Sequence, residues 1–241
     1  MNEENANPLV LITGASRGLG RCLAVAGARR AHRLALTARD AAALERLAAS
    51  LRQEHGCEVQ CFPGDLSLPG LAQQCARQVE DSMGAPDVLI NNAGIGWWRS
   101  FLEHSDEDHD RLIDLNFRAV VHLTHALLPA MTQRRHGHII NIASDLADRP
   151  LGNMTVYTAT KHALRGFSHS LSQEVRPLGI KVSLLNPGMI DTSFHTMEEG
   201  SLDEAVALKP GPLAELVMTM LEQPGHQVVD EMTVHAMRQD Y

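Results

Sequence analysis

Tyr157 and Lys161 stand four residues apart in the run Tyr157-Thr158-Ala159-Thr160-Lys161, and Ser144 lies thirteen residues before the tyrosine. On a helix, residues i and i+4 sit one above the other on one face. A phenol and an ammonium would then share a small volume, and the cation would draw the phenol's pKa down from about 10 toward working pH. A nearby serine hydroxyl could hold a carbonyl oxygen beside that phenol. The chemistry on offer is proton transfer to or from an oxygen. Taken alone, the pair reads equally well as a core aromatic and an exposed helix lysine.

A second signal lies near the start of the chain. Thr13-Gly14-Ala15-Ser16-Arg17-Gly18-Leu19-Gly20 follows the apolar run Leu9-Val10-Leu11-Ile12. Glycines there let backbone approach a pyrophosphate, and the N-terminus of a following helix offers N–H groups and partial positive charge. The spacing is Gly-x-x-x-Gly-x-Gly. Glycines also serve ordinary tight turns, so the position between a strand and a helix gives the loop its weight.

Strands and helices alternate along the chain to position these groups. Short apolar runs predict buried strands at 9–12, 34–37, 59–62, 88–90, 138–142 and 181–185, with a last strand at 227–234. Helical stretches are predicted at 18–29, 41–54, 67–82, 106–134, 155–176 and 210–222. Repeated βα units imply a doubly wound, Rossmann-type parallel sheet of about seven strands with helices on both faces. There is no internal repeat or linker-like stretch, so residues 1–241 are expected to form one domain, with a loop or lid at 189–208.

Bulk properties narrow the function classes. The net charge is −8 and no Lys/Arg block reverses it locally, which argues against a nucleic-acid surface. No run approaches a membrane span, and Met1-Asn2-Glu3-Glu4-Asn5 lacks the basic start of a signal peptide, so the cytoplasm is the expected address. Cys22, Cys57, Cys61 and Cys75 are scattered and suggest no disulfide framework. The 13 histidines include His136-x-His138 and the His122/His125 pair, but neither has the ligand clustering of a zinc site, and no metal is expected.

Further residues complete an ordered series: Asp65-Leu66 after the third strand, Asn91-Asn92-Ala93-Gly94 after the fourth, and Asn116 in the long helix. Ser144, Tyr157 and Lys161 come next, then Asn186-Pro187-Gly188 with Thr192 after the sixth strand. With TGASRGLG at 13–20, the chain resembles the single-domain branch of the short-chain dehydrogenase/reductase family over about residues 8–234. The resemblance implies that Tyr157 is the acid in carbonyl reduction, or the base in alcohol oxidation. It implies that Lys161 lowers the phenol's pKa and holds the nicotinamide ribose, that Ser144 bonds the substrate oxygen, and that Asn116 holds a water linking Lys161 to solvent.

The same resemblance implies that Gly14, Ser16, Arg17, Gly18, Leu19, Gly20, Arg39, Asp65, Leu66, Asn92, Ala93, Gly94, Pro187, Gly188, Ile190 and Thr192 border the cofactor, together with Tyr157 and Lys161, and that Asn91 stabilises the sheet. Members that prefer NAD usually place an acid at the end of the second strand. Here Ala38 and Arg39 follow that strand, and Arg17 could join Arg39 around a 2′-phosphate. Asp40 is read as a cap on the following helix. NADP(H) is the expected cofactor.

The substrate is less legible. Family pocket walls fall here on Ile95-Gly96-Trp97-Trp98-Arg99, on 145–154 and on 189–208. Trp97 or Trp98 could stack on an apolar substrate, or one could pack against the fold. Arg99 and Arg149 could meet an anion, although Asp145 and Asp148 stand close enough to neutralise Arg149. After the last strand, Asp230-Glu231-Met232-Thr233-Val234-His235 lacks the glycine-rich finish common among fatty-acid-type ketoreductases. A ketone or aldehyde reductase leads, with an alcohol dehydrogenase and a non-catalytic dinucleotide sensor as alternatives. Leu123, Leu127, Leu128, Phe167 and Leu171 look like apolar residues beyond one inward stripe, and the resemblance puts their helices at the interface of a homodimer or homotetramer.

Overall fold

The computed structural model describes residues 7–195 and 199–239. Seven parallel strands form one sheet in the order β3-β2-β1-β4-β5-β6-β7. They are β1 Leu9–Thr13, β2 Arg33–Thr37, β3 Val59–Cys61, β4 Val88–Asn91, β5 Gly137–Ile142, β6 Ile180–Pro187 and β7 Glu231–Val234. The connecting helices are α1 Gly18–Arg29, α2 Ala41–His55, α3 Leu71–Met83, α4 Asp106–Ile113, α5 Ala119–Arg134, α6 Thr155–Val175 and α7 Pro210–Leu221.

Side chains alternate across a strand, and the two faces of the sheet feed two cores. Val10 and Ile12 of β1 join residues of α1, α2 and α7, while Leu9 and Leu11 join residues of α3, α5 and α6. Burial on both faces explains why the central strands read as unbroken apolar runs. Asn91 is one of a few buried polar strand residues: its Nδ2 donates to Asn141 Oδ1 at 2.9 Å between β4 and β5.

Three boundaries differ from expectation. The third helix begins at Leu71 because Asp65 first makes a turn, its Oδ1 accepting from Ser67 N at 3.1 Å. The last strand begins at Glu231 because Gln227 N bonds Pro224 O in a preceding turn. The predicted helix 106–134 is interrupted by a π turn at Asp114–Arg118, which contains Asn116. Such a turn inserts an extra residue and reorients the side chains around it.

The apolar surplus assigned to α5 and α6 is also revised. Leu123, Leu127 and Leu171 are buried in this chain's own core, and Leu128 and Phe167 are partly buried against it. Leu123, Leu127 and Leu171 thus face the sheet-side core, and only Leu128 and Phe167 keep part of their surface exposed.

Candidate active site

The turns at the C-terminal edges of the strands surround one cleft of about 1370 Å³. Gly14, Ser16, Arg17, Gly18, Leu19 and Gly20 line it after β1, Arg39 after β2, and Asp65 and Leu66 after β3. Asn92, Ala93 and Gly94 contribute from beyond β4, and Pro187, Gly188, Ile190 and Thr192 from beyond β6. Ser144, Tyr157 and Lys161 line the same cleft. Asn116 lies behind it, buried, rather than on its wall.

The glycine loop is shaped by close approach. A Cβ on Gly20 would lie 2.1 Å from Gly14 O, and one on Gly14, at φ +68°, would lie 2.9 Å from Ala93 Cα. Thr13 Oγ1 accepts from both Asn92 N and Ala93 N at 2.9 Å, locking the loop to the turn after β4. Arg17, at the N-cap of α1, makes no capping hydrogen bond. The first N–H groups of α1 therefore have no side-chain cap, at the edge of a cleft and at the positive end of the helix dipole. These features fit a dinucleotide's pyrophosphate.

Asp40 caps α2 as expected, accepting from Ala43 N at 2.9 Å. Arg39 is exposed, with Nη1 3.9 Å from Asp65 Oδ2. Arg17 Nη1 donates to Ser193 Oγ at 3.3 Å, so in this arrangement it reaches the segment after β6.

At the base of the cleft, α6 places Tyr157 and Lys161 on one face. Lys161 Nζ lies 5.5 Å from the centre of the Tyr157 ring and donates to Ile142 O at 3.0 Å. Burial lowers the Lys161 pKa to about 8. Burial also pushes the Tyr157 phenol up to about 12; hydrogen bonding with the Ser144 hydroxyl pulls the other way, and the Asp145 charge adds to the rise. The lowered phenol expected from the lysine's proximity is thus not what the chain alone produces. Desolvation of the phenolate is the larger effect.

Ser144 lies two residues beyond β5 and caps a short turn, accepting from Leu146 N at 3.2 Å and donating to Asp145 Oδ1 at 3.0 Å. Asn116 uses both ends of its amide on one residue: Nδ2 donates to Ile95 O at 2.8 Å, and Oδ1 accepts from Ile95 N at 2.9 Å. The backbone after Gly94 is thereby fixed to the π turn.

The substrate end combines polar and apolar walls. Trp98 lines the cleft, whereas Trp97 packs with His104 at 5.9 Å between ring centres. Arg99 lies outside the cleft, over the Trp97 ring and paired with Asp108 at 3.0 Å. Arg149 lines the cleft but is paired with Asp145 at 2.7 Å, while Asp148 pairs with Arg165 at 2.9 Å. Sequence reasoning missed Arg238 and Gln239, which come from beyond β7 to line the cleft. No spacing rule connects so distant a glutamine to Ser144.

The segment after β6 is tied at its base. Asp191 is buried and pairs with Lys209 at 2.6 Å, and its Oδ1 accepts from Gly200 N and Leu202 N. There is no helix among the described residues 199–207, and residues 196–198 of the expected lid lie outside the described residues.

A model of the short chain dehydrogenases matches residues 8–201. The chain belongs to the short-chain dehydrogenase/reductase family of oxidoreductases. An alcohol dehydrogenase from Thermococcus sibiricus, solved with 5-hydroxy-NADP, is 32% identical, with 97% of this chain and 98% of that one covered at a TM-score of 0.92. L-sorbose reductase from Gluconobacter frateurii, solved with NADPH and L-sorbose, is 29% identical over 99% of this chain and 100% of its own, with a TM-score of 0.87. An uncharacterised oxidoreductase of Staphylococcus aureus is 30% identical over 94% of this chain and 96% of its own.

Proposed function

We propose that this family member is an NADPH-dependent reductase of a ketone or aldehyde, reversible in principle, with Tyr157 as the proton donor. The observation that carries the reading is the convergence of Ser144, Tyr157 and Lys161 at the base of a glycine-lined cleft. When bound, the cofactor supplies a hydride. Ser144 holds the carbonyl oxygen, and Tyr157 gives it a proton as charge develops there, a contribution worth about 10²–10⁴ in rate. Lys161 binds the nicotinamide ribose and restores the phenol's proton, with Asn116 on the path toward solvent.

A phenol with its pKa near 12 stays protonated at neutral pH, the form that reduction uses. That protonation state suits the proton-donor role given to Tyr157, while the direction of net turnover follows the cofactor ratio. The presence of Ser144, Tyr157 and Lys161 together also favours an enzyme over a dinucleotide sensor.

Gly14, Ser16, Gly18, Leu19 and Gly20 would hold the pyrophosphate, and Arg39 with Arg17 the 2′-phosphate. Asp65, Leu66, Asn92, Ala93 and Gly94 would border the rest of the dinucleotide. Pro187, Gly188, Ile190 and Thr192 would meet its carboxamide end. The NADP-bound relatives support this choice. We take the whole chain to work as one domain with 189–208 as its lid, as a cytoplasmic homodimer or homotetramer; among the described residues no helix is long and apolar enough to cross a membrane.

The deciding experiment is NADPH oxidation measured against a panel of ketones, aldehydes and ketoacyl thioesters. Turnover of a ketone or aldehyde is expected. Consumption by none of them overturns the reductase reading.

A further inference from the structure

We propose that residues 235–239 form a strap that closes the substrate end of the cleft, and that Gln239 is a positioning and specificity residue acting on Ser144 through Asp145. The inference rests on the reductase reading for its catalytic part and on the chain's own contacts for the strap.

Gln239 joins two loops that are distant in sequence. Its Oε1 accepts from Met189 N at 3.0 Å, just beyond β6, and its Nε2 donates to Asp145 Oδ2 at 3.1 Å, just beyond β5. The fit is close: a Cβ on Gly188 would lie 2.0 Å from Gln239 Oε1, so the strap occupies the space a side chain there would need. Arg238 N donates to Ala205 O at 2.8 Å, which fastens the strap to the segment expected to act as the lid. Arg238 and Gln239 both face the cleft.

Asp145 gives the strap a chemical role. This carboxylate is buried, and it accepts from Ser144, Arg149 and Gln239. To hold a substrate oxygen, Ser144 must turn its proton away from Asp145. That turn is inexpensive only while the carboxylate keeps its other donors, because a buried acceptor left short of partners is costly. Without Gln239, Asp145 competes harder for the serine proton. The same side chain limits how far a substrate can extend past Ser144.

The test uses full-length Gln239→Ala and Gln239→Glu, with the latter keeping the side-chain length and the acceptor for Met189 N. Hydrogen exchange over 188–190, measured without substrate, is expected to quicken in Gln239→Ala. With NADPH, kcat for a four-carbon ketone should fall about tenfold in both variants, since both lose the donor to Asp145. Relative kcat/KM for a bulky aryl ketone should rise about tenfold in Gln239→Ala alone. Unchanged exchange in Gln239→Ala overturns the strap, and unchanged kcat and selectivity in an active enzyme overturn the positioning role. A wild-type protein that reduces no carbonyl overturns the reductase reading instead, and with it the positioning role, while exchange still decides the strap.

Discussion

Lys161 Nζ sits 5.5 Å from the centre of the Tyr157 ring, yet its hydrogen bond goes to the backbone carbonyl of Ile142. The two side chains share one buried volume. Burial opposes charge on both, lowering the lysine's pKa and raising the tyrosine's.

Tyr157→Phe removes the transferable proton and leaves the rest of the cleft intact. We expect kcat to fall by at least about 10², with NADPH affinity nearly unchanged. Lys161→Ala should damage both. Steady-state kinetics and fluorescence titration of NADPH separate the two cases. A Tyr157→Phe enzyme retaining more than about a few per cent of wild-type kcat would falsify the proton-donor assignment.

Stability should carry the signature of Lys161. Its folded pKa, about 8, lies below the unfolded value of about 10.4. Between these the unfolded chain binds more protons, so this group's contribution to stability rises with pH across that window and is lost as pH falls through 8. Lys161→Met lacks this dependence. Urea unfolding of the apoprotein should show wild type gaining on the variant from about pH 8 to 10, by about 2–3 kcal/mol at most. A constant difference across the window would place Lys161 in contact with water.

Cofactor preference follows from Arg39 and Arg17 beside a second strand that ends without an acid. NADPH should bind about 10–100-fold more tightly than NADH, as expected for one or two charge-assisted bonds. The gap should narrow as salt rises. Ala38→Asp combined with Arg39→Ser should move preference toward NADH. Equal affinities in the unmodified protein would remove the case for a 2′-phosphate site.

The sheet, its strand sequence and the loops that carry the site were legible because each rests on a local pattern. Leu9-Val10-Leu11-Ile12 is apolar on both faces, and the glycines follow it directly. Tyr157 and Lys161 needed only helical spacing. The phenol's pKa was misjudged because proximity is readable from spacing while desolvation is not. Leu123 and Leu127 were taken for an outer surface because a helix packed on two sides looks overly apolar in sequence. Gln239 was out of reach because its partners, Asp145 and Met189, lie 94 and 50 residues away.

Assembly can be tested without substrate. Light scattering at micromolar concentration is expected to give two or four times the monomer mass of 26.4 kDa. A particle of the monomer mass would count against the proposed oligomer, for which only the partly buried Leu128 and Phe167 of the five apolar residues keep exposed surface.

The segment after β6 should behave as an anchored loop. Its ends are held by the Asp191–Lys209 pair and by an Ile190–Leu208 bridge. Fast amide exchange is expected over 192–208 in the apo form, and slower exchange at Thr192, Gly200, Leu202, Ala205, Val206, Ala207 and Leu208, whose N–H groups are bonded. It should slow when cofactor and a substrate analogue are both bound. Lys209→Met should quicken exchange at Gly200 and Leu202. Uniform protection in the apo protein would mark the segment as scaffold.

The π turn at Asp114–Arg118 makes the helical connection one residue longer than a regular spiral would need. That surplus residue is a phase shift. Everything before it is rotated by about 100° relative to everything after it, so α4 can face the substrate end while α5 faces the sheet. Deleting one residue of the turn other than Asn116 would shift α4 and α5 in phase and set the inward leucines of α5 against the hold of Asn116 on Ile95. The chain tolerates an irregular helix because a regular one could not satisfy both.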